Sequence, residues 1–236
     1  PAGLPDSLRD AAAQVAPCWL GLPLATGNGI IGALVVMEKS ASPCYTERDQ
    51  ELLQFVSTQI ATAIDRKRLH SQLLHMAQHD ALTGLPNRML LLDRLDTALA
   101  RARRNIHGFS LLYVDLDKFK PINDLHGHET GDKLLQEVAK RISQCVRDTD
   151  TVARIGGDEF VVLLDRACLI GDAELVAEKI RAELCNEICI RDLQLFITPS
   201  IGIAVYPEHG GTAQQLLKYA DDAMYQMKKK GQRAST

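Results

Sequence analysis

Four acidic side chains, in two places along the chain, are the residues best suited to chemistry. Asp115 and Asp117 follow the apolar run Ser110-Leu111-Leu112-Tyr113-Val114, and Asp158 and Glu159 follow Gly156-Gly157. A strand that is apolar and then abruptly acidic delivers carboxylates to a sheet edge. If the two segments are neighbouring strands, three or four carboxylates converge, which is unfavourable unless a cation neutralises them. All-oxygen ligands suit Mg²⁺, which takes one or two protein carboxylates and fills its shell with water and phosphate. From spacing alone, the alternative is an acidic strand end and turn that are simply solvated. Gly156-Gly157 bares the backbone beside the acids, so a substrate can approach closely. The same pair also suits a hairpin with no ligand.

Positioning these acids requires a sheet. Residues 109–116 form a near-continuous apolar run, as a buried central strand does. Residues 151–155 and 160–164 are two short β runs around Gly156-Gly157 and read as a hairpin. Residues 90–104, 131–145, 173–184 and 212–230 carry helical patterns, and 195–206 is strand-rich. The order predicts an α/β (α+β) fold with helices covering a mostly antiparallel sheet. Upstream, the apolar runs 18–24 and 30–37 flank a turn-rich stretch, and Asn28-Gly29 between them predicts a hairpin. Residues 46–79 predict one long helix, opened by a capping box in which Asp49 answers Thr46. Leu53, Val56, Ile60, Ala63 and Ile64 recur along it at helical spacing. The stripe Leu53, Val56, Ile60 and Ala63 is read as the seam of a parallel dimer, weakened at Lys67 and His70 before Leu74. The alternative is packing on the sheet of the preceding zone. Three zones follow: 1–46, 47–79 and 80–236.

Composition sets the outer limits. Of 236 residues 46% are hydrophobic, so a packed core is available and global disorder is excluded. A net charge of −3 gives no electrostatic reason for nucleic-acid binding. No apolar run approaches the roughly 20 residues of a membrane span. No secretory leader follows Pro1, so the sequence reads as a piece of a longer cytoplasmic protein. Cys18, Cys44, Cys145, Cys168, Cys185 and Cys189 form no CxxC pair. They read as ordinary thiols, Cys185 and Cys189 included although they sit four apart.

Four blocks occur in order: Asp80-Ala81-Leu82-Thr83-Gly84-Leu85-Pro86-Asn87-Arg88; Asp115-Leu116-Asp117-Lys118-Phe119-Lys120-Pro121-Ile122-Asn123-Asp124 with Gly127-His128 and Gly131-Asp132; Arg154-Ile155-Gly156-Gly157-Asp158-Glu159-Phe160; and Ala220-Asp221-Asp222-Ala223-Met224-Tyr225-Gln226-Met227-Lys228. Together they resemble the GGDEF family of diguanylate cyclases over about residues 78–233. The resemblance implies a sheet with the topology of polymerase palms and class III nucleotide cyclases. It also implies Mg²⁺-dependent (or Mn²⁺-dependent) condensation of two GTP into cyclic di-GMP by a homodimer, because one domain holds one GTP. By resemblance, Asp115, the Leu116 carbonyl, Asp158 and Glu159 bind metal, and Glu159 helps deprotonate the attacking ribose hydroxyl. Asn123 and Asp132 read guanine between the apolar walls Leu82 and Leu135. Phe119, Lys120, Gly156, Gly157 and Lys228 serve the phosphates.

Two further features bear on regulation. Arg147-Asp148-Thr149-Asp150 matches the family's RxxD inhibitory site for cyclic di-GMP, with Asp150 six positions before Gly156. Where the family has Gly-Arg-Asn after the last helix, this chain has Gly231-Gln232-Arg233, so a phosphate contact by Arg is replaced and GTP affinity is the property affected. Residues 1–46 resemble the back half of a GAF sensor domain through Trp19-Leu20-Gly21-Leu22-Pro23-Leu24, Ile31-Gly32-Ala33-Leu34 and Tyr45-Thr46-Glu47-Arg48-Asp49. The expected function is a product-inhibited cyclase governed by that sensor. The alternative is a catalytically weak GGDEF domain that binds GTP or cyclic di-GMP, possible in a hybrid with a phosphodiesterase.

Overall fold

In the computed structural model, residues 18–38, 45–105, 108–165 and 169–234 are described, with the backbone course alone at 18, 105 and 230–234. Contacts divide the chain into two compact units, Pro1–His75 and Met76–Thr236.

In the first unit, β1 (Cys18–Thr26) and β2 (Gly29–Glu38) form an antiparallel hairpin in which Thr26 faces Gly29. Gly27 and Asn28 therefore make the turn, one position earlier than the Asn28-Gly29 expectation. Helix α1 (Glu47–Gln78) opens with the expected capping box: Asp49 N–H donates to Thr46 Oγ1 at 3.2 Å, and Thr46 N–H donates to Asp49 Oδ2 at 2.8 Å. Ser57 and Ala61 are its buried residues, and Ser57 Oγ donates to the Pro23 carbonyl at 2.6 Å. Leu53, Val56 and Ile60 are half-buried beside that contact, while Ala63 is exposed. Three of the four residues of the stripe expected to be a dimer seam thus share the side of α1 that carries Ser57. A different row, Leu52, Phe55, Leu69, Leu73 and Met76, stays exposed. Among the described residues, no helix is long and apolar enough to cross a membrane.

In the second unit, the remaining elements are α2 (Arg88–Asn105), β3 (Phe109–Asp117), α3 (Phe119–His126), α4 (His128–Cys145), β4 (Thr151–Gly156), β5 (Glu159–Asp165), α5 (Ile170–Cys185), β6 (Ile188–Ile190), β7 (Leu193–Leu195), β8 (Thr198–Val205) and α6 (Ala213–Ala234). The main sheet runs β4-β5-β3-β8, with every neighbouring pair antiparallel. β3 is central, so both its faces are covered, and its residues alternate between two cores. Leu112, Val114 and Leu116 pack with α4 and α5, around Leu134, Val138 and Ile180. Phe109 and Leu111 pack with α2 and α6, around Leu91, Leu95, Leu216 and Ala220. By the same alternation Asp115 lies on the α2/α6 side. Helix α3 and the small β6–β7 hairpin were not expected as separate elements. They are short, and α3 contains Pro121, tolerated because it falls in the first turn.

Candidate active site

β3 and β5 are neighbours, and their register sets Asp115 directly opposite Glu159. Opposed residues share a face, so two carboxylates lie side by side at the strand ends. Asp115 is 8% exposed and forms an ion pair with Lys228 of α6. Burial pushes the Asp115 carboxyl above its ordinary range; Lys228 opposes this, and Asp158 and Asp117 add to it. Burial also raises Glu159, against a hydrogen bond from the Tyr113 hydroxyl and with the support of Asp115, Asp221 and Asp158. Asp117 goes elsewhere: it accepts from Ser200 Oγ at 2.8 Å and Thr198 Oγ1 at 3.0 Å on β8.

Lys228 reaches Asp115 because α6 lies almost in contact with the sheet. A Cβ on Gly202 of β8 would sit 2.0 Å from the Ala220 carbonyl oxygen and 2.3 Å from the Met224 nitrogen. Only glycine admits the helix at that height, and Lys228 is one turn beyond Met224.

The β4–β5 turn is clamped. Gly157 takes a left-handed φ of 45°, and its carbonyl accepts from Arg154 Nε at 3.0 Å and Nη2 at 2.8 Å. Arg154 Nη1 also donates to Asp80 Oδ1 at 2.8 Å, and Asp80 accepts from the Thr83 N–H and hydroxyl. Burial works to raise the Asp80 carboxyl, but Thr83 and Arg154 outweigh it and hold the group below the ordinary aspartate range. The block beginning at Asp80 is thus tied to the turn that carries Asp158 and Glu159.

On the other side of β3, Asn123 and Asp132 come from α3 and α4. Asn123 Oδ1 is buried with no hydrogen-bond partner among the described residues. It lies against Gly131, where a Cβ would come within 1.7 Å of it. An unsatisfied buried acceptor costs about 1–3 kcal/mol, and a ligand N–H relieves that cost. Leu135 is buried, Leu82 packs against the same core, and Gln136 Nε2 donates to the Leu82 carbonyl at 3.0 Å. Asp132 is exposed. Lys118 adopts φ 59°, ψ 22°, and α3 begins with no side-chain cap. The first N–H groups of α3, at buried Phe119 and exposed Lys120, are left for an anion.

Arg147 and Asp150 form a tight turn of their own. Asp150 N–H donates to the Arg147 carbonyl at 2.9 Å, Arg147 N–H donates to Asp150 Oδ2 at 3.0 Å, and Asp165 N–H donates to Asp150 Oδ1 at 3.0 Å. A cleft of about 470 Å³ opens there, lined by Arg147, Asp150, Asp165, Asp172 and Lys179. The side chains of Gln232 and Arg233 lie outside the described residues.

Sequence reasoning did not single out Tyr113, Lys179, Gly202 or the Asp80–Arg154 clamp. Tyr113 is one residue of an apolar run, and the partners of the others are brought together only by the fold. The donor set suits Mg²⁺. Among the described residues no three His, Cys, Asp or Glu side chains are grouped to hold an ion alone. Asp115 and Glu159 supply the one or two carboxylates that Mg²⁺ takes when phosphate completes its shell.

The described residues thus combine an antiparallel sheet, paired acids beside the β4–β5 turn and an orphaned amide acceptor on the other side of the central strand. Residues 77–234 match the family model described as diguanylate cyclase, GGDEF domain, and the chain belongs to that family. Residues 4–64 match the GAF domain model. The chain is 48% identical over 164 residues to the bifunctional diguanylate cyclase/cyclic di-GMP phosphodiesterase MucR of Pseudomonas aeruginosa, covering 70% of this chain and 24% of that protein. It is 38% identical over 216 residues to diguanylate cyclase TpbB of the same species, covering 84% and 50%. The coiled coil and GGDEF domain of DgcB from Caulobacter crescentus, solved with c-di-GMP, superposes with a TM-score of 0.68 at 31% identity, over 76% of this chain and 95% of that one. The chain thus spans a quarter to a half of the length of these two curated relatives.

Proposed function

We propose that the chain is a diguanylate cyclase that condenses two GTP into cyclic di-GMP and two pyrophosphates, in a cytoplasmic setting where GTP is available. The observation that carries this reading is the opposition of Asp115 and Glu159 at the ends of β3 and β5, beside the Gly157-Asp158 turn that follows Gly156. In the reaction the ribose 3′-oxygen of one GTP bonds to the α-phosphorus of the other, and the bond to pyrophosphate breaks. Glu159 accepts the proton of the 3′-hydroxyl, and the burial that raises its carboxyl makes it the better base. Asn123 Oδ1 accepts from guanine N–H groups, which adenine does not present in the same pattern. Lys120, Lys228 and the open N-terminus of α3 hold phosphate oxygens. Asp115, the Leu116 carbonyl, Asp158 and Glu159 would hold Mg²⁺ or Mn²⁺, which offsets charge on the attacking and leaving oxygens. One domain binds one GTP, so a homodimer is the working form. We take 80–236 as the cyclase module, 47–79 as its connecting helix and the preceding residues as the GAF-like sensor; Arg147 and Asp150 with their cleft serve as the product-inhibition site.

The test is incubation of the purified chain with GTP and Mg²⁺, with chromatographic detection of cyclic di-GMP. Glu159→Gln and Asp115→Ala should each abolish product, and ATP should not be turned over. No product from the wild-type chain, full activity in either variant, or equal use of ATP would overturn the assignment.

A further inference from the structure

Asp115 stands opposite Glu159 across β3 and β5, and Tyr113 stands opposite Val161, two residues further along β5. Tyr113 and Glu159 are therefore diagonal neighbours on one face of the sheet, a separation that an aromatic side chain spans. Behind them a cavity of about 500 Å³ opens between α2 and α6, with Arg88, Leu91, Tyr113, Glu159, Leu217 and Asp221 in its lining. The two side chains meet this cavity differently. The Tyr113 ring packs on the core between the sheet and those helices, and on β8 it faces Gly202, over which α6 lies closely. Its hydroxyl is thus a donor at a fixed place, and it donates to the Glu159 carboxylate. Glu159 is a long, rotamer-rich side chain at a strand end, where free rotation is costly to suppress. Asp115, Asp221 and Asp158 repel its charge, and Arg88 offers a cation within the same cavity. A Glu159 without an anchor would turn off the sheet end and into that space.

We propose that Tyr113 is a positioning residue for Glu159: its hydroxyl holds the carboxylate at the sheet end beside Asp115 and keeps it from turning into the cavity between α2 and α6. The inference rests on the cyclase reading for what Glu159 does, and concerns what keeps Glu159 in place. A carboxylate has two oxygens and about four lone-pair sites, so one bond from tyrosine leaves an oxygen for the ribose proton. A base serves only within hydrogen-bond reach of the proton it takes, so its placement governs the chemical step. Nucleotide binding falls to other groups, Asn123, Lys120 and Lys228. Tyr113 therefore acts through Glu159, and its loss should be felt in turnover rather than in affinity.

Tyr113→Phe keeps the ring and its packing and removes only the hydroxyl. In the full chain, cyclic di-GMP formation should show kcat lowered roughly tenfold to a hundredfold, the order that a misplaced catalytic group costs, with KM for GTP within about twofold of wild type. A thermal double-variant cycle reads the contact itself without substrate. Tyr113→Phe should lower the melting temperature of wild type and leave that of Glu159→Ala unchanged, because the hydroxyl then has no carboxylate to lose. Circular dichroism establishes that each variant is folded. Wild-type kcat in Tyr113→Phe would overturn the proposal, and so would a raised KM at unchanged kcat, which would make Tyr113 a nucleotide-binding residue. An equal melting loss with and without Glu159 would overturn it as well, since the hydroxyl would then serve the fold and not the base. A chain that makes no cyclic di-GMP but shows the melting cycle keeps Tyr113 as the anchor of Glu159 and loses the cyclase reading. A chain that makes cyclic di-GMP but shows neither the kcat loss nor the cycle keeps the cyclase reading and loses the anchor.

Discussion

Gly202→Ala should damage catalysis through a residue that touches no ligand. The added Cβ meets the Ala220 carbonyl oxygen at 2.0 Å and the Met224 backbone at 2.3 Å, and neither is the flexible end of a side chain. Opening that contact to ordinary van der Waals separation, about 3.5 Å, lifts α6 by more than ~1 Å. Overpacking of this kind costs typically ~1–3 kcal/mol. At about 2–4 °C per kcal/mol for a chain of this size, the melting temperature should fall by roughly 2–12 °C. The larger effect is functional. Lys228 stands one turn beyond Met224, and a displacement of about 1 Å at a catalytic site costs on the order of a hundredfold in rate. The assay is cyclic di-GMP formation at saturating GTP, alongside thermal unfolding monitored by circular dichroism. A variant with wild-type melting temperature and wild-type kcat would refute the claim that the closeness of α6 to β8 sets the position of Lys228.

Three further outcomes follow from other contacts. Arg154→Met should lower the melting temperature at pH 7. Asp80 is depressed in the folded state, so its contribution is present above the unfolded aspartate pKa and lost as pH falls through the folded one. The difference from wild type should therefore shrink on acidification from about pH 4 downward in a pH series of thermal melts. Arg147→Ala should weaken cyclic di-GMP binding measured by calorimetry by about tenfold or more and relieve product inhibition, since it removes charge-assisted bonds to phosphate; unchanged binding would remove Arg147 and Asp150 from that role. Leu69→Glu with Leu73→Glu should make the chain monomeric by light scattering and sharply lower activity per chain. Ile60→Glu, on the face laid against the hairpin, should instead lower the melting temperature, and dimers retained in the Leu69/Leu73 variant would place the seam elsewhere.

What was legible in the sequence was what period and adjacency encode. The apolar run ending in Asp115 and the hairpin at the glycine pair required only local reading, although its turn falls at Gly157-Asp158, one position later than Gly156-Gly157, and the hairpin forces β5 back alongside β4. That β5 also lies beside β3, making Asp115 and Glu159 opposite partners, is a tertiary fact on which the convergence of the acids depended. Helix α1 shows where spacing runs out. It carries two apolar rows, Leu53-Val56-Ile60 and Leu52-Phe55-Leu69-Leu73-Met76, and hydrophobicity cannot rank them. What decides between them is a polar residue: Ser57 sits at the centre of the buried face and satisfies the Pro23 carbonyl, so the face that looks less apolar is the one that is covered. The exposed row keeps the 3–4 spacing of a helix seam, with Gln59, Thr62 and Arg66 in its middle, where polar residues reduce stability and help fix register. The same lesson holds at the active site. Gly131 and Gly202 give no chemical signal in a sequence, yet one makes room for Asn123 and the other sets the height of the helix that carries Lys228. The acids can be read from their own codons' worth of sequence; the groups that neutralise, orient and release them are legible only once the chain has folded.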